Sequence, residues 1–72
     1  MKRAKYYKIA GLFAVLLCPA GGDKGFTVHA NGLLGEHYNL STDFPNGGIS
    51  RISRDEAERI APRSALRQYK IT

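Results

Sequence analysis

His29 and His37 are the only histidines in the chain, and they are the first side chains to weigh for metal or acid–base chemistry. Between them lies Asn31-Gly32, the pair that best marks a two-residue type I′ hairpin turn. That turn pairs Ala30 with Leu33, Val28 with Gly35 and Phe26 with His37. It places the two imidazoles on opposite faces, where they cannot share a metal. The carboxylates Asp55, Glu56 and Glu58 follow Ser53, so helix capping and the helix dipole account for them without catalysis. Ser41, Ser50, Ser53 and Ser64 have no histidine in a recognisable arrangement, and Cys18, beside a proline, has no nearby base. Gly21-Gly22-Asp23-Lys24-Gly25 has the composition of a phosphate loop but lacks the glycine-lysine-serine/threonine ending and the helix that should follow. The residues point away from an enzyme, and they indicate neither a metal nor a cofactor.

Binding remains. Lys2, Arg3, Lys5 and Lys8 surround Tyr6 and Tyr7, and Arg63, Arg67, Tyr69 and Lys70 repeat the mixture near the other end. Bases interleaved with aromatics suit single-stranded nucleic acid, and equally an acidic protein surface. The net charge of +5 is modest, and the acids lie between the two basic ends, which limits any continuous basic stripe. The expected contact residues are Lys2, Arg3, Lys5, Tyr6, Tyr7, Phe44, Arg63, Arg67, Tyr69 and Lys70. Two plainer readings stand beside this one: tyrosines at the core edge with hydroxyls in water, and Phe44 folded back as a lid.

The elements that must position these groups start with the longest apolar run, Tyr6 to Leu17. Read as one strand, it is apolar on both faces and belongs in the middle of a sheet, with Gly11 marking a bulge or a close backbone crossing. The alternative is a secretory leader over residues 1–20, with a basic start and an apolar core; what it would leave is small and has no cysteine. The run is too short to span a bilayer, which takes about 20 apolar residues. The strand reading is preferred, and with it a cytoplasmic location, which a lone thiol also suits.

Residues 18–25 read as a loop, Phe26 to Leu40 as the hairpin and Ser41 to Gly48 as a second loop. The hairpin's expected core face is Phe26, Val28, Ala30 and Leu33. Ser53 and Glu56 form a capping box for a helix over Arg54–Ala61, docking mainly through Ile60, with Ala57 and Ala61 on the same face. The tail is ambiguous between a short edge strand preceded by a turn of helix, which is preferred, and a second helix with Pro62 at its first position. Residues 1–72 are thus expected to form one α+β domain, a small antiparallel sheet of three to four strands with one short helix packed on one face.

In size and architecture, though in no motif, such a chain resembles the small inhibitor proteins of phages and mobile elements, anti-CRISPR proteins among them. The resemblance implies a protein that occupies the surface of a protein complex handling nucleic acid. Direct binding of DNA or RNA is the alternative.

Overall fold

The computed structural model describes residues 4–19 and 21–70, the side chains of 69 and 70 excepted. Strands β1 (Lys5–Ile9), β2 (Ala14–Cys18), β3 (Lys24–His29) and β4 (Leu34–Asn39) are followed by the short helix α1 (Leu40–Asp43). Strand β5 (Ile49–Ile52) and helices α2 (Arg54–Ile60) and α3 (Arg63–Lys70) complete the order. The five strands make one antiparallel sheet in the order β4-β3-β2-β1-β5. The α+β expectation holds, with five strands among the described residues where three to four were expected and three helices where one was.

The apolar run is a hairpin and not a single strand. Leu12 N–H donates to the Ile9 carbonyl at 3.1 Å, and Gly11 adopts φ +79°, so the chain reverses at a glycine that reads in sequence as a mere irregularity. A positive φ at the third turn position is what glycine tolerates and an L side chain resists. Lys5–Ile9 then folds back on Ala14–Cys18. The central strand is β2, and all five of its residues are buried.

The β3–β4 connection departs from the two-residue turn. Asn31 does not have positive φ, which type I′ requires, whereas Gly32 does, at +87°. Gly32 N–H donates to the His29 carbonyl at 2.8 Å, and His29 N–H to the Leu33 carbonyl at 3.0 Å. This is a three-residue loop ending in a left-handed glycine. Val28 consequently pairs with Leu34 while Phe26 pairs with His37, leaving one extra residue in β4 opposite Thr27. That β-bulge keeps the expected far end of the hairpin and shifts the near end. Leu33 is exposed, as is Ala30, so the expected core face is kept only at Phe26 and Val28.

One face of the sheet carries Tyr6, Val15, Leu17 and Val28, and these pack with Ala57, Ala61, Ala65 and Leu66 of the two longer helices and their junction. Ser53 caps α2, its Oγ accepting from Glu56 N–H at 3.2 Å, which is the N-cap half of the expected capping box. The helix approaches the sheet through the small side chains Ala57 and Ala61, both buried, while Ile60 is only partly buried. Docking is thus led by alanines and not by Ile60. The tail is helical from Arg63 to Lys70 and not an edge strand. Pro62 precedes it, its carbonyl accepting Leu66 N–H at 3.1 Å; a proline costs no hydrogen bond at a helix start. Burial of Ala65 and Leu66 outweighs the β-favouring composition of Tyr69 to Thr72.

The other face also has a buried centre, Ala14, Leu16, Cys18 and Thr27. Both longer helices lie on the opposite side. On this side Phe44, in the connection Leu40–Gly48 that links β4 at one edge to β5 at the other, packs on Tyr38. No helix among the described residues is long and apolar enough to cross a membrane.

Candidate binding surface

Alternation along β1 sends neighbouring tyrosines to opposite sides. Tyr6 pairs with Leu17 and faces the helices. It is 6% exposed, which removes it from the expected contact residues. Burial is the main cause that pushes its phenol above the ordinary range, with Glu58 adding to the rise and Arg54 opposing it. Tyr7 pairs with Leu16 on one side and Arg51 on the other, and so projects from the face opposite the two longer helices. The Arg51 guanidinium lies over its ring, 5.9 Å from the centroid. Lys5, two residues earlier on β1 and paired with Cys18, projects from that same face. Lys5 and Tyr7 are half-buried and Arg51 is exposed.

The second basic group lies on the opposite side of the sheet. Arg63 and Arg67 are exposed on α3, whose Ala65 and Leu66 pack against the helical face. Arg63 Nε is 3.8 Å from Glu58 Oε2, which is also 3.8 Å from Arg54 Nε. The exposed arginines make these pairs worth at most about 1 kcal/mol. Lys5 with Tyr7 and Arg63 with Arg67 therefore form two surfaces and not one footprint. Lys2, Arg3 and the side chains of Tyr69 and Lys70 lie outside the described residues.

Phe44 is half-buried and packs on Tyr38 with ring centroids 5.4 Å apart, the arrangement of a lid more than of a contact residue. Tyr38 Oη donates to Glu36 Oε2 at 3.0 Å, and this hydrogen bond is the main cause holding its phenol above the usual range. His37 sits beside Phe26 with centroids 5.8 Å apart. His29 is on the other face, close enough to Gly35 that its Nε2 would meet an added Cβ there. Among the described residues no three histidine, cysteine or acidic groups gather as a metal site would need.

Sequence reasoning missed Arg51. The signal was the alternation of Ile49-Ser50-Arg51-Ile52, apolar and polar at period two, overlooked beside the capping box that follows. It also missed the apolar hairpin tips, where Phe13 and Leu33 stand 66% and 63% exposed. Comparisons with protein-family models, with curated proteins and with solved structures return no match.

Proposed function

We propose that this chain is a non-enzymatic binding protein that docks through Lys5, Tyr7 and Arg51 onto an acidic patch of a protein complex handling nucleic acid. Its mode of action is occupation of that surface, as in the phage and mobile-element inhibitors it resembles in size and architecture. Such a partner places it in the cytoplasm. The observation that carries this reading is the Arg51 guanidinium over the Tyr7 ring. Arginine and tyrosine are enriched in interface hot spots, and a pair already in cation–π contact loses less side-chain freedom on binding. A net charge of +5 selects an acidic partner surface and speeds encounter with it.

Direct nucleic-acid binding is the second reading, favoured by the same pair beside Lys5, since bases stack on aromatic and guanidinium planes. Salt separates the two. Phosphate contacts release counterions, so affinity for naked DNA or RNA would fall steeply as salt rises. Docking on a protein predicts negligible affinity for free nucleic acid at physiological salt, and a complex disrupted by Arg51→Glu with the melting temperature preserved. Tight, salt-sensitive gel shifts with naked nucleic acid would overturn the protein-docking reading.

A further inference from the structure

Two loops meet at one end of the sheet. Ala14 pairs with His29, so the β1–β2 turn at residues 10–13 and the β3–β4 loop at residues 30–33 lie side by side. None of these residues is charged, and Asn31 is the one polar side chain among them. Its Oδ1 is already engaged, accepting from Leu33 N–H at 3.1 Å. Phe13, Leu33 and Leu34 are exposed here. Exposed apolar side chains gathered in one place mark a site of contact with a protein or a membrane. None of Lys5, Tyr7 and Arg51 is in either loop, so this end stands apart from the docking surface.

Size and charge choose between the two. Three large apolar side chains fall far short of the roughly 800 Å² per partner that a stable protein interface buries. A lipid surface takes up a few such side chains when cations stand beside them. Lys8, exposed, is the last charged residue of β1 before the first turn. Arg63, also exposed, follows Pro62, which lies against the second loop: a Cβ added at Gly32 would be 3.6 Å from both Pro62 Cγ and Ala65 Cβ. The acids are placed elsewhere. Asp23 lies between β2 and β3, Asp43 closes α1 after β4, and Asp55 and Glu56 open α2 after β5, all at the other end of the strands. Glu36 accepts from Tyr38 Oη at 3.0 Å, and Glu58 lies between Arg54 and Arg63. An anionic surface approached by the tips therefore meets cations first, and the net charge of +5 adds to the attraction.

We infer that the two hairpin tips insert into an anionic phospholipid surface, Phe13 and Leu33 entering the boundary between headgroups and acyl chains while Lys8 and Arg63 meet the phosphates. The test is co-sedimentation of the full chain, at physiological salt, with vesicles of phosphatidylserine and phosphatidylcholine in equal parts, beside vesicles of phosphatidylcholine alone. The chain should sediment with the first and far less with the second. In anionic bicelles carrying spin-labelled lipid, line broadening should centre on the amides of Gly11, Phe13, Asn31 and Leu33. Phe13→Ser and Leu33→Ser change exposed side chains, so both should keep the melting temperature. Phe13→Ser should weaken binding about tenfold, as loss of an inserted aromatic side chain does, and Leu33→Ser by less. Lys8→Gln should weaken it about fivefold, the effect of one cation near an anionic membrane. A chain that stays in solution beside the anionic vesicles, a Phe13→Ser protein that sediments like the wild type, or equal binding to phosphatidylcholine alone would overturn tip insertion. So would a dimer in solution that Phe13→Ser dissociates, since the tips would then belong to a second copy.

Discussion

Tyr6 and Leu17 lie opposite one another across β1 and β2, and both turn toward the helices, where they are buried with Ala57 and Leu66. The pair ties the first hairpin to the helical layer. Leu17→Ala should leave a cavity and cost about 2–5 kcal/mol, read as a lower denaturant midpoint with an unchanged slope. Tyr6→Ala should behave likewise and show itself in stability, not in a selective loss of binding. A Tyr6→Ala protein that melts normally but no longer binds its partner would contradict the burial of this side chain.

Gly11 makes the reversal that turns the apolar run into two strands. At φ +79° a valine would be held in a left-handed backbone at a cost of about 1–2 kcal/mol, although no atom lies within 4 Å of where its Cβ would sit. Gly11→Val should therefore lower the melting temperature through backbone strain alone, and Gly11→Asn should do so by less. Equal melting temperatures for the glycine and valine proteins would contradict a turn at this position.

At Gly25 the constraint is contact. A Cβ there would come within 2.7 Å of both the Leu17 carbonyl oxygen and Cys18 Sγ. The backbone atom cannot swing aside, so Gly25→Ala should cost about 1–3 kcal/mol, as overpacking does. The same substitution at Gly22, where a Cβ meets nothing within 4 Å, is the control and should be close to neutral by the same melt.

Much of this architecture could be read from local chemistry, and the exceptions have physical causes. Ser53 and Glu56 announced the start of α2 because a capping box is a short-range hydrogen-bond pattern. His29 and His37 were correctly set on opposite faces, since the bulge in β4 lies between them and preserves the Phe26–His37 pair. The turn at Gly11 was not legible, because its flanks Ala10, Leu12 and Phe13 are as apolar as a strand interior. Helix α3 was misjudged because its last residues favour strands, whereas the burial of Ala65 and Leu66 is a tertiary matter. The expected contact set held one error that alternation alone could have caught: neighbours in a strand, Tyr6 and Tyr7 could not share an exposed face. Arg51 joins Tyr7 only through the β1–β5 pairing, a contact between residues distant in sequence.

The alanine-led docking of α2 gives an order of effects. Ala57 is fully buried while Ile60 is partly so. Ala57→Asp places an unpaired carboxylate in the core and should unfold the domain, whereas Ile60→Asp should destabilise it by less. Ser53→Ala should cost about 1 kcal/mol through the lost cap. Thermal melts of the three variants test the order, and an Ala57→Asp protein as stable as the wild type would refute this packing.

Burial pushes the Cys18 thiol up, Asp23 adding to the rise and Lys5 opposing it, and Tyr6 is raised for the same leading reason. Both groups are neutral when protonated, so a raised value in the folded state stabilises the fold at lower pH. That contribution is fully present below the ordinary thiol and phenol range and is lost as pH rises through the folded-state values. Stability should accordingly decline on the alkaline side, and less so in Cys18→Ala. The native thiol should also react with a thiol reagent far more slowly than the unfolded one; equal rates would show that Cys18 is accessible.

The proposed docking through the Tyr7–Arg51 pair is tested most directly by titrating the isolated partner complex with wild-type and Arg51→Glu protein at physiological salt, beside naked single- and double-stranded nucleic acid. The expected result is binding to the complex that weakens at least about tenfold, or 1.4 kcal/mol, in the variant. Its melting temperature should be unchanged, with negligible binding of either protein to free nucleic acid. Equal affinity of the two proteins for the complex, or tight binding to naked nucleic acid that collapses as salt rises, would contradict it.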